Sequence, residues 1–424
     1  MFGALRTPRN IVFGIGQRAS LPRYVTAFGQ KVLIVTDQRM EGEASFRALH
    51  ADLSAAGLNV SVFSEVEAEL PTACLHAGIG AAREFGAQVI VGIGGGSCID
   101  AAKVIALVTV HGGAVSDYYG EFKVPGPILP LVALPTTAGT GSEVTPVAVV
   151  ADPDRAVKVG IASPYLIPDT AICDPELTVT CPPGLTAVSG ADALVHAIEA
   201  FTTAPRAQTP GLIHEHVFIG KNALTDNYAL AAVGNIGRNL QTAVRDGGNL
   251  EARASVMLGA TQAGLAFGTA GTSVCHAVQY PVGALTHTAH GLGVALMLPY
   301  ALAFNRGFAL ADIAAIGRIL DFADEQSSDE VAADACISEI AALLRNVAIP
   351  HTLAEIGVKY DDLPWIAEQA MAANRLIKNN PRPVDREGMD LLVEAAFTGD
   401  LSMLSAKTTD AKTPDAKTPD AKAS

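Results

Sequence analysis

Short apolar runs alternate with helix-like stretches through the first 180 residues of the chain. Three of these runs, at 31–36, 88–93 and 128–135, are compact and rich in Val, Ile and Leu, as in strands buried within a sheet. Each run ends in a turn of small or polar residues. The alternation predicts a parallel α/β sheet, whose ligands bind at turns of this kind.

The pattern changes after Cys181-Pro182-Pro183. Beyond this point Ala and Leu recur at helical spacing, for example over 191–201 and 251–267, and extended β-branched runs are nearly absent. We therefore predict a helical second half that begins near the proline pair. The segment 204–222 has two prolines and no clear period, so we expect a loop or insertion that borders the cleft or another subunit.

The chain ends in a repeated five-residue unit, AKTPD, without large apolar residues. Such a segment cannot bury enough surface to offset the entropy that it loses on ordering. The sequence therefore predicts three regions, namely an α/β domain over 1–181, an α-helical domain over 182–400 and a disordered tail over 401–424.

The composition indicates a packed globular protein, with 49% hydrophobic and 17% charged residues. A net charge of −14 without a basic stripe argues against binding to nucleic acid or anionic membranes, because both need clustered Lys and Arg. No apolar stretch reaches the roughly 18 residues of a membrane span, and the N-terminus lacks the core of a signal peptide. The six cysteines include no C-x-x-C pair. We predict a cytoplasmic protein with reduced thiols.

A glycine-rich turn follows the second apolar run. It consists of Gly94, Gly95, Gly96 and Ser97 and leads into a helical segment. Backbone N–H groups in such a turn, together with the helix N-terminus, can bind a pyrophosphate. The G-x-G-x-x-G spacing is absent, so this turn by itself is also compatible with a purely structural role.

A second turn of small residues, at 136–143, follows the third apolar run. Two such loops after neighbouring strands can enclose one dinucleotide. Asp37 ends the first run, where its carboxylate can accept hydrogen bonds from the adenosine ribose. The same carboxylate would repel a 2′-phosphate, which favours NAD(H) over NADP(H). An aspartate in this place can also be an ordinary turn residue.

Asp192 and His196 are four residues apart in a helical run, so they lie on one face of the helix. His276 and His290 follow later in the helical half. One carboxylate with three imidazoles suits a divalent cation such as Fe(II) or Zn(II), and the residues do not distinguish the two. A single histidine is more often an ordinary residue, but the four positions together predict a metal site.

Several motifs together resemble the iron-containing (group III) alcohol dehydrogenase family. The likeness extends from about residue 8 to about residue 395, and its motifs are GIGGGSCIDAAK, PTTAGTGSEVTP, DPELT, GADALVHAIEAF and GLAFGTAGTSVCHAVQYPVGALTHTAHG. The resemblance implies a dehydroquinate synthase-like architecture, with an α/β dinucleotide-binding domain, an all-α C-terminal domain and an active site between them. It also implies a homo-oligomer of two or more subunits.

The resemblance implies roles for individual residues as well. Asp192, His196, His276 and His290 are the implied metal ligands, and the 14-residue spacing from His276 to His290 matches the family's usual spacing. Cofactor contacts are implied for Asp37, Gly95, Gly96, Ser97, Asp100, Thr136, Thr137, Thr140, Ser142 and Lys158.

One position departs from the family pattern. Many members carry another histidine four residues after the position of His276, and this chain has Tyr280 there. A similar tyrosine occurs in the hydroxyacid–oxoacid transhydrogenase branch of the family. We hypothesise that Tyr280, or His287 near the last ligand, relays a proton to solvent. Tyr280 can equally form a wall of the pocket.

The function expected from these features is reversible hydride transfer between a metal-bound alcohol, or its alkoxide, and nicotinamide, in an NAD-dependent oxidoreductase acting on CH–OH groups. The substrate would be a small alcohol or aldehyde, and Fe(II) is the favoured ion, with Zn(II) as the second choice. A transhydrogenase that keeps its nicotinamide bound remains an alternative. A lyase on the related scaffold fits less well because its metal-ligand pattern differs, and the complete ligand set disfavours a non-catalytic binding protein.

Overall fold

The computed structural model describes residues 1–155 and 158–405. The part of the predicted tail from residue 406 onward lies outside the described residues. The segment 401–405 also falls within the predicted disordered tail, but Ser402–Ser405 is helical and Leu404 packs into the hydrophobic core. The helical region therefore continues past residue 400, because this segment still carries apolar side chains that the repeat lacks.

The strands of the described residues form two sheets. They are β1 (Asn10–Phe13), β2 (Lys31–Val35), β3 (Asn59–Phe63), β4 (Val89–Gly94), β5 (Gly120–Glu121), β6 (Leu131–Pro135), β7 (Val147–Val150), β8 (Val159–Ala162) and β9 (Thr170–Cys173). The larger sheet has the order β1-β9-β6-β4-β2-β3 and is parallel throughout. The smaller sheet has the order β5-β8-β7.

The helices of the described residues are α1 (Leu21–Val25), α2 (Gln38–Glu41), α3 (Ala44–Ala55), α4 (Thr72–Phe85), α5 (Gly96–His111), α6 (Pro183–Thr202), α7 (Leu212–Glu215), α8 (Ala223–Arg245), α9 (Leu250–Ala270), α10 (Val274–Thr286), α11 (His290–Asn305), α12 (Leu310–Ile319), α13 (Asp329–Asn346), α14 (Leu363–Ala372), α15 (Asn374–Asn379), α16 (Arg386–Thr398) and α17 (Ser402–Ser405). Among them, none is both long and apolar enough to cross a membrane.

The three predicted strands are β2, β4 and β6, which lie side by side in the larger sheet. Their side chains alternate between two hydrophobic cores, one on each face of the sheet. Leu33 and Val35 pack into one core, whereas Val32 and Ile34 pack into the other. Burial on both faces explains why these strands read as continuous apolar runs. The predicted fold class, an α/β domain followed by a helical domain, is confirmed.

The helical domain begins after the last strand of the larger sheet. β9 ends at Cys173 and α6 begins at Pro183, which is the first helical position, where proline is well tolerated. The core of this domain takes small and aliphatic side chains from most of its helices. α9 and α11 bury nearly their whole circumference, so their sequences show little amphipathic pattern.

The loops that follow β4 and β6 lie in a cleft against α6, α10 and α11. The cleft has a volume of about 990 Å³. The loop after β6, called the second loop, packs directly on α9 at Gly141. This residue has φ +59°, and a Cβ there would lie 2.6 Å from the Cα of Gly264. Only a residue without a side chain permits this approach of one backbone to the other.

The segment 204–222 contains the short helix α7 and then runs beside the end of α9. The backbone N–H of Ile219 donates to the carbonyl of Thr269 (2.8 Å), and that of Gly220 donates to the carbonyl of Ala270 (3.1 Å). Phe218 lines the cleft. The expectation that this segment borders the cleft is therefore confirmed.

Candidate active site

The predicted metal ligands converge on the helical side of the cleft. Asp192 lies on α6, His276 in the first turn of α10, and His290 is the first residue of α11. One ligand atom from each of these three residues lies within 4.8 Å of the other two. His196, one helical turn after Asp192, stands at the edge of this group, with its Nε2 3.8 Å from Asp192 Oδ1. Its ring stacks on that of His276, with the centroids 4.8 Å apart.

The polar atoms of this group fit a divalent ion. Asp192 Oδ1 and His276 Nε2 are buried and have no hydrogen-bond partner among the described residues. A buried polar atom without a partner is costly, and coordination removes that cost. Burial lowers the pKa of His196 to about 4 and that of His290 to about 3. Both imidazoles are therefore neutral at pH 7, the form that binds metals.

Glu199 orients His276 from behind. It is buried on α6, and its carboxylate contacts the Nδ1 of His276 at 2.6 Å. It also accepts hydrogen bonds from the backbone N–H groups of Ser273 (3.0 Å) and Cys275 (2.7 Å). Burial disfavours the carboxylate, but His276 and these N–H groups outweigh burial and lower its pKa. The ionised carboxylate keeps the proton of His276 on Nδ1, so that Nε2 presents its lone pair to the ligand group.

Sequence reasoning did not identify Glu199. The signal was nevertheless present, because Glu199 follows Asp192 by seven residues, two helical turns, and so lies on the same face of α6. A carboxylate that orients a ligating imidazole is a recurrent feature of metal sites. The sequence does not show that Glu199 contacts His276, because the two residues lie on different helices, α6 and α10.

The two loops predicted to bind a dinucleotide face each other on the sheet side of the cleft. Gly95, Gly96 and Ser97 line the cleft at the N-terminus of α5, and the hydroxyl residues opposite them are Thr136, Thr137 and Thr140. A Cβ on Gly96 would lie 2.5 Å from Thr140 Cγ2. The buried Thr136 Oγ1 has no partner among the described residues. The free helix N-terminus and this unpaired hydroxyl fit a nucleotide pyrophosphate.

Gly94 has a different role from the cofactor contact that was predicted for it. It ends β4 with φ +150° and is not among the residues that line the cleft. A Cβ at this position would lie 2.5 Å from the sulfur of Cys98. Gly94 therefore permits the chain to turn tightly into α5, and the residues after it form the wall of the cleft.

Three other predicted cofactor residues line the cleft but also bind neighbouring protein groups. Asp37 caps α2 by accepting from the N–H of Met40 (2.8 Å). Asp100 accepts from the hydroxyl of Ser142 (2.5 Å) and from the N–H of Val149 (2.9 Å). The carboxylate of Asp100 thus joins α5 to the second loop and to β7.

Two lysines have contrasting positions. Lys158 lines the cleft and pairs with Glu69, and burial lowers its pKa to about 8, an effect that Asp192 opposes. Lys103, which sequence reasoning did not single out, is fully buried on α5. Its Nζ donates to the carbonyls of Thr145 (3.0 Å) and Val147 (2.7 Å). Lys103 thereby fixes the end of the second loop to the sheet domain.

The two candidates for proton relay are separated by the structure. Tyr280 lines the cleft, and its ring centroid lies 6.3 Å from that of His290. Burial raises the pKa of its hydroxyl, which is therefore protonated at neutral pH. His287 is exposed, is not among the residues that line the cleft, and follows the last turn of α10 with φ +54°. The prediction of a relay through His287 is not supported, because the chain turns toward solvent before α11 begins.

Comparison with known proteins gives a consistent result along the chain. Residues 8–175 match the family model described as iron-containing alcohol dehydrogenase, and residues 186–397 match that of the C-terminal region of the same family. The chain is 34% identical over 394 residues to the sulfoacetaldehyde reductase of Bilophila wadsworthia, covering 92% of this chain and 98% of that protein.

Two solved structures extend the comparison. A 1,3-propanediol oxidoreductase has a TM-score of 0.87 at 30% identity, covering 94% of this chain and 100% of that one. The sulfoacetaldehyde reductase of Bifidobacterium kashiwanohense in complex with NAD+ has a TM-score of 0.79 at 25% identity, covering 93% and 99%. The chain thus belongs to the iron-containing alcohol dehydrogenase family and is an oxidoreductase that acts on CH–OH groups.

Proposed function

We propose that the chain is a metal-dependent, NAD(H)-linked alcohol dehydrogenase that also works as an aldehyde reductase. The observation that carries this proposal is that the converging ligand group and the two dinucleotide-type loops line one and the same cleft. Hydride transfer requires a polarised oxygen and a nicotinamide ring side by side, and this arrangement brings the two sites together.

The proposed ligands are Asp192, His196, His276 and His290, and Fe(II) is the proposed ion, with Zn(II) as the second choice. A divalent ion in this position supplies Lewis acidity, which lowers the pKa of an alcohol and polarises a carbonyl. The protein holds three imidazoles and one carboxylate in place, so little reorganisation is needed during the reaction.

On the cofactor side, we propose that Gly95, Gly96 and Ser97 bind the pyrophosphate through backbone N–H groups. Thr136 offers to the same group a hydroxyl that has no partner among the residues that the structure describes. Asp37 caps α2 with one oxygen, and its other oxygen lies 3.5 Å from the sulfur of Cys98. A carboxylate in this position favours NAD(H), because a 2′-phosphate beside it would be repelled.

Thr137, Thr140, Lys158, Asp100 and Ser142 complete the proposed cofactor contacts, and Asp100 and Ser142 also shape the loop through their mutual hydrogen bond. Tyr280, with its protonated hydroxyl, is proposed to donate a hydrogen bond within the pocket or to form its wall. The proposed domains meet near residue 181. We also propose a homo-oligomer, from the family likeness, and a cytoplasmic location. The six cysteines, which are all buried and form no disulfide, are compatible with that location.

A reconstitution assay tests the proposed function. Metal-free protein is loaded separately with Fe(II), Zn(II) and Mn(II), and NADH consumption is followed with short aldehydes, and NAD+ reduction with diols and 2- or 4-hydroxy acids. We expect turnover that depends on added metal and is highest with Fe(II). Binding of metal and NADH without turnover of any substrate in this panel would contradict the proposal. Exchange between a hydroxy acid and an oxo acid without net change in NADH would instead favour the transhydrogenase.

The Glu199→Gln variant is expected to bind the metal about 10- to 100-fold more weakly, the usual effect of removing a group that orients a ligand. The amide cannot hold the proton on His276 Nδ1 as a carboxylate does. The measurement is a competition titration with a chelator. The matched control is Glu143→Gln, since Glu143 is also buried but bonds Thr261 (2.9 Å). Equal metal affinity in the two variants would show that Glu199 does not support the site.

A further inference from the structure

One cation in the cleft, Arg375, has no carboxylate partner within the described part of the chain. Arg375 lies on α15 and lines the cleft together with Tyr280 and His276. Its guanidinium makes no ion pair with any residue that the structure describes. A partly buried guanidinium without a counter-charge is a binding feature that the hydride-transfer chemistry does not itself require.

An aromatic ring holds this guanidinium in place. The Cζ of Arg375 lies 4.3 Å from the centroid of the Phe218 ring. Stacking of this kind occupies the face of the guanidinium and leaves its N–H groups free at the edge. Phe218 is only 2% exposed, and the backbone bonds of Ile219 and Gly220 to the end of α9 fix its position. The guanidinium therefore rests on a fixed ring.

The helix that carries Arg375 is fixed to the turn between α9 and α10. Asn379 Nδ2 donates to the carbonyls of Ala270 (3.0 Å) and Thr272 (3.3 Å). Because Asn379 follows Arg375 by four residues, both side chains lie on the same face of α15. Thr272 lines the cleft. Asn379 thus ties the helix of Arg375 to the cleft-lining turn that precedes α10, and Thr272 in this turn lies four residues before His276.

The charges around this part of the cleft leave Arg375 uncompensated. Asp192 belongs to the ligand group, and Glu199 is bonded to His276. Glu69 pairs with Lys158. Glu121 interacts with two other arginines, Arg6 and Arg206, and is not among the residues that line the cleft. Arg375 is also close to Tyr280. Burial raises the pKa of the Tyr280 hydroxyl, and the positive charge of Arg375 opposes that rise.

We propose that Arg375 binds an anionic group on the substrate, and that the preferred substrates are short aldehydes or alcohols with a terminal carboxylate or sulfonate. This inference rests on the proposed function, because it concerns the substrate of the same cleft. The planar fork of the guanidinium can donate two parallel hydrogen bonds to either anion, which gives orientation as well as affinity. A neutral alcohol of the same length leaves this group without a partner.

The test compares three aldehydes of similar length in the NADH-linked assay with the metal-loaded enzyme. Succinate semialdehyde carries a carboxylate, 3-sulfopropanal carries a sulfonate, and butanal is neutral. We expect at least one anionic aldehyde to have a higher kcat/KM than butanal, and the two anionic substrates identify which anion is preferred.

In Arg375→Met, which keeps an apolar stem over Phe218, the kcat/KM of that anionic aldehyde should fall about 100-fold, mainly through KM. The kcat/KM of butanal should change by less than about threefold.

Two further variants serve as controls. Arg375→Lys keeps the charge but loses the fork, so it should recover part of the loss. Arg382→Met removes an arginine that also lies over an aromatic ring, 3.9 Å from the centroid of Phe304, but is not among the cleft-lining residues, and it should leave the preference for the anionic aldehyde unchanged. An equal loss for neutral and anionic aldehydes in Arg375→Met, or no loss for either, would overturn the inference.

A binding measurement separates this inference from the proposed function. Butanoate and propane-1-sulfonate, which have no reactive carbonyl, are titrated calorimetrically into the metal-loaded wild-type chain and into Arg375→Met in the presence of NADH. Binding of one anion by the wild type and at least about tenfold weaker binding by the variant would support the arginine site even if no aldehyde were reduced. If neither anion binds to the wild type, the inference is wrong whatever the turnover assay shows.

Discussion

The His276→Ala variant is expected to lose bound metal and nearly all dehydrogenase activity. His276 contributes a buried Nε2 that has no protein partner among the described residues, and its ring lies between those of His196 and His290. Removing the His276 side chain deletes a ligand from the middle of the group. A metal ion supplies several kcal/mol of transition-state stabilisation, so kcat/KM should fall by at least about a thousandfold. Elemental analysis and steady-state kinetics on the same sample measure both effects.

The control for this prediction is His287→Asn. His287 lies on the same helix–turn segment but is exposed and is not among the cleft-lining residues. Asparagine tolerates the positive φ of 54° at this position better than alanine does. We expect metal content and kcat/KM close to those of the wild type. An active, metal-replete His276→Ala variant would refute the ligand assignment, and an inactive but metal-replete His287→Asn variant would restore the relay hypothesis.

The Gly96→Val variant is expected to weaken NADH binding by at least about 100-fold, because small displacements in a positioned site have effects of this size. A Cβ on Gly96 would lie 2.5 Å from Thr140 Cγ2 and 3.1 Å from Thr140 Cβ. A side chain here must therefore push the second loop away or fill the space between the loops. Fluorescence titration with NADH measures the dissociation constant.

Gly80→Val is the matched control for this change. Gly80 lies on α4, and a Cβ there would meet no described residue outside its own turn of helix within 4 Å. The variant should bind NADH as the wild type does, apart from a modest change in stability. If Gly96→Val folds and retains normal NADH affinity, the two loops do not form the cofactor site.

The sequence predicted the central elements of the fold because their signals are local. β2, β4 and β6 are buried on both faces, so each is a continuous apolar run that ends in a recognisable turn. Asp192 and His196 have helical spacing within one motif, so their common direction is predictable. The small sheet was not predicted, since β5 has two residues and β7 and β8 have four each, too short for a periodic signal.

Positions that depend on tertiary contacts were predicted less well. Gly94 and His287 each lie close in sequence to site residues but are not among the residues that line the cleft. Both have a positive φ, and the direction that the backbone takes there was not predictable from the sequence. Glu199 lies in a recognised motif, but its bond to His276 joins two helices. Arg375 is distant in sequence from every other site residue, and nothing in its neighbourhood indicates that α15 meets Phe218.

The contact of Gly141 with Gly264 restricts how the two domains could move relative to each other. The second loop is packed on α9 by this contact and is fixed to the sheet domain by Lys103. If the two domains move relative to each other, a loop attached to both is displaced less than the mouth of the cleft. Opening and closing would then widen or narrow the mouth of the cleft while the place of the cofactor phosphates stays nearly fixed. Substrate exchange would not require the dinucleotide to be released.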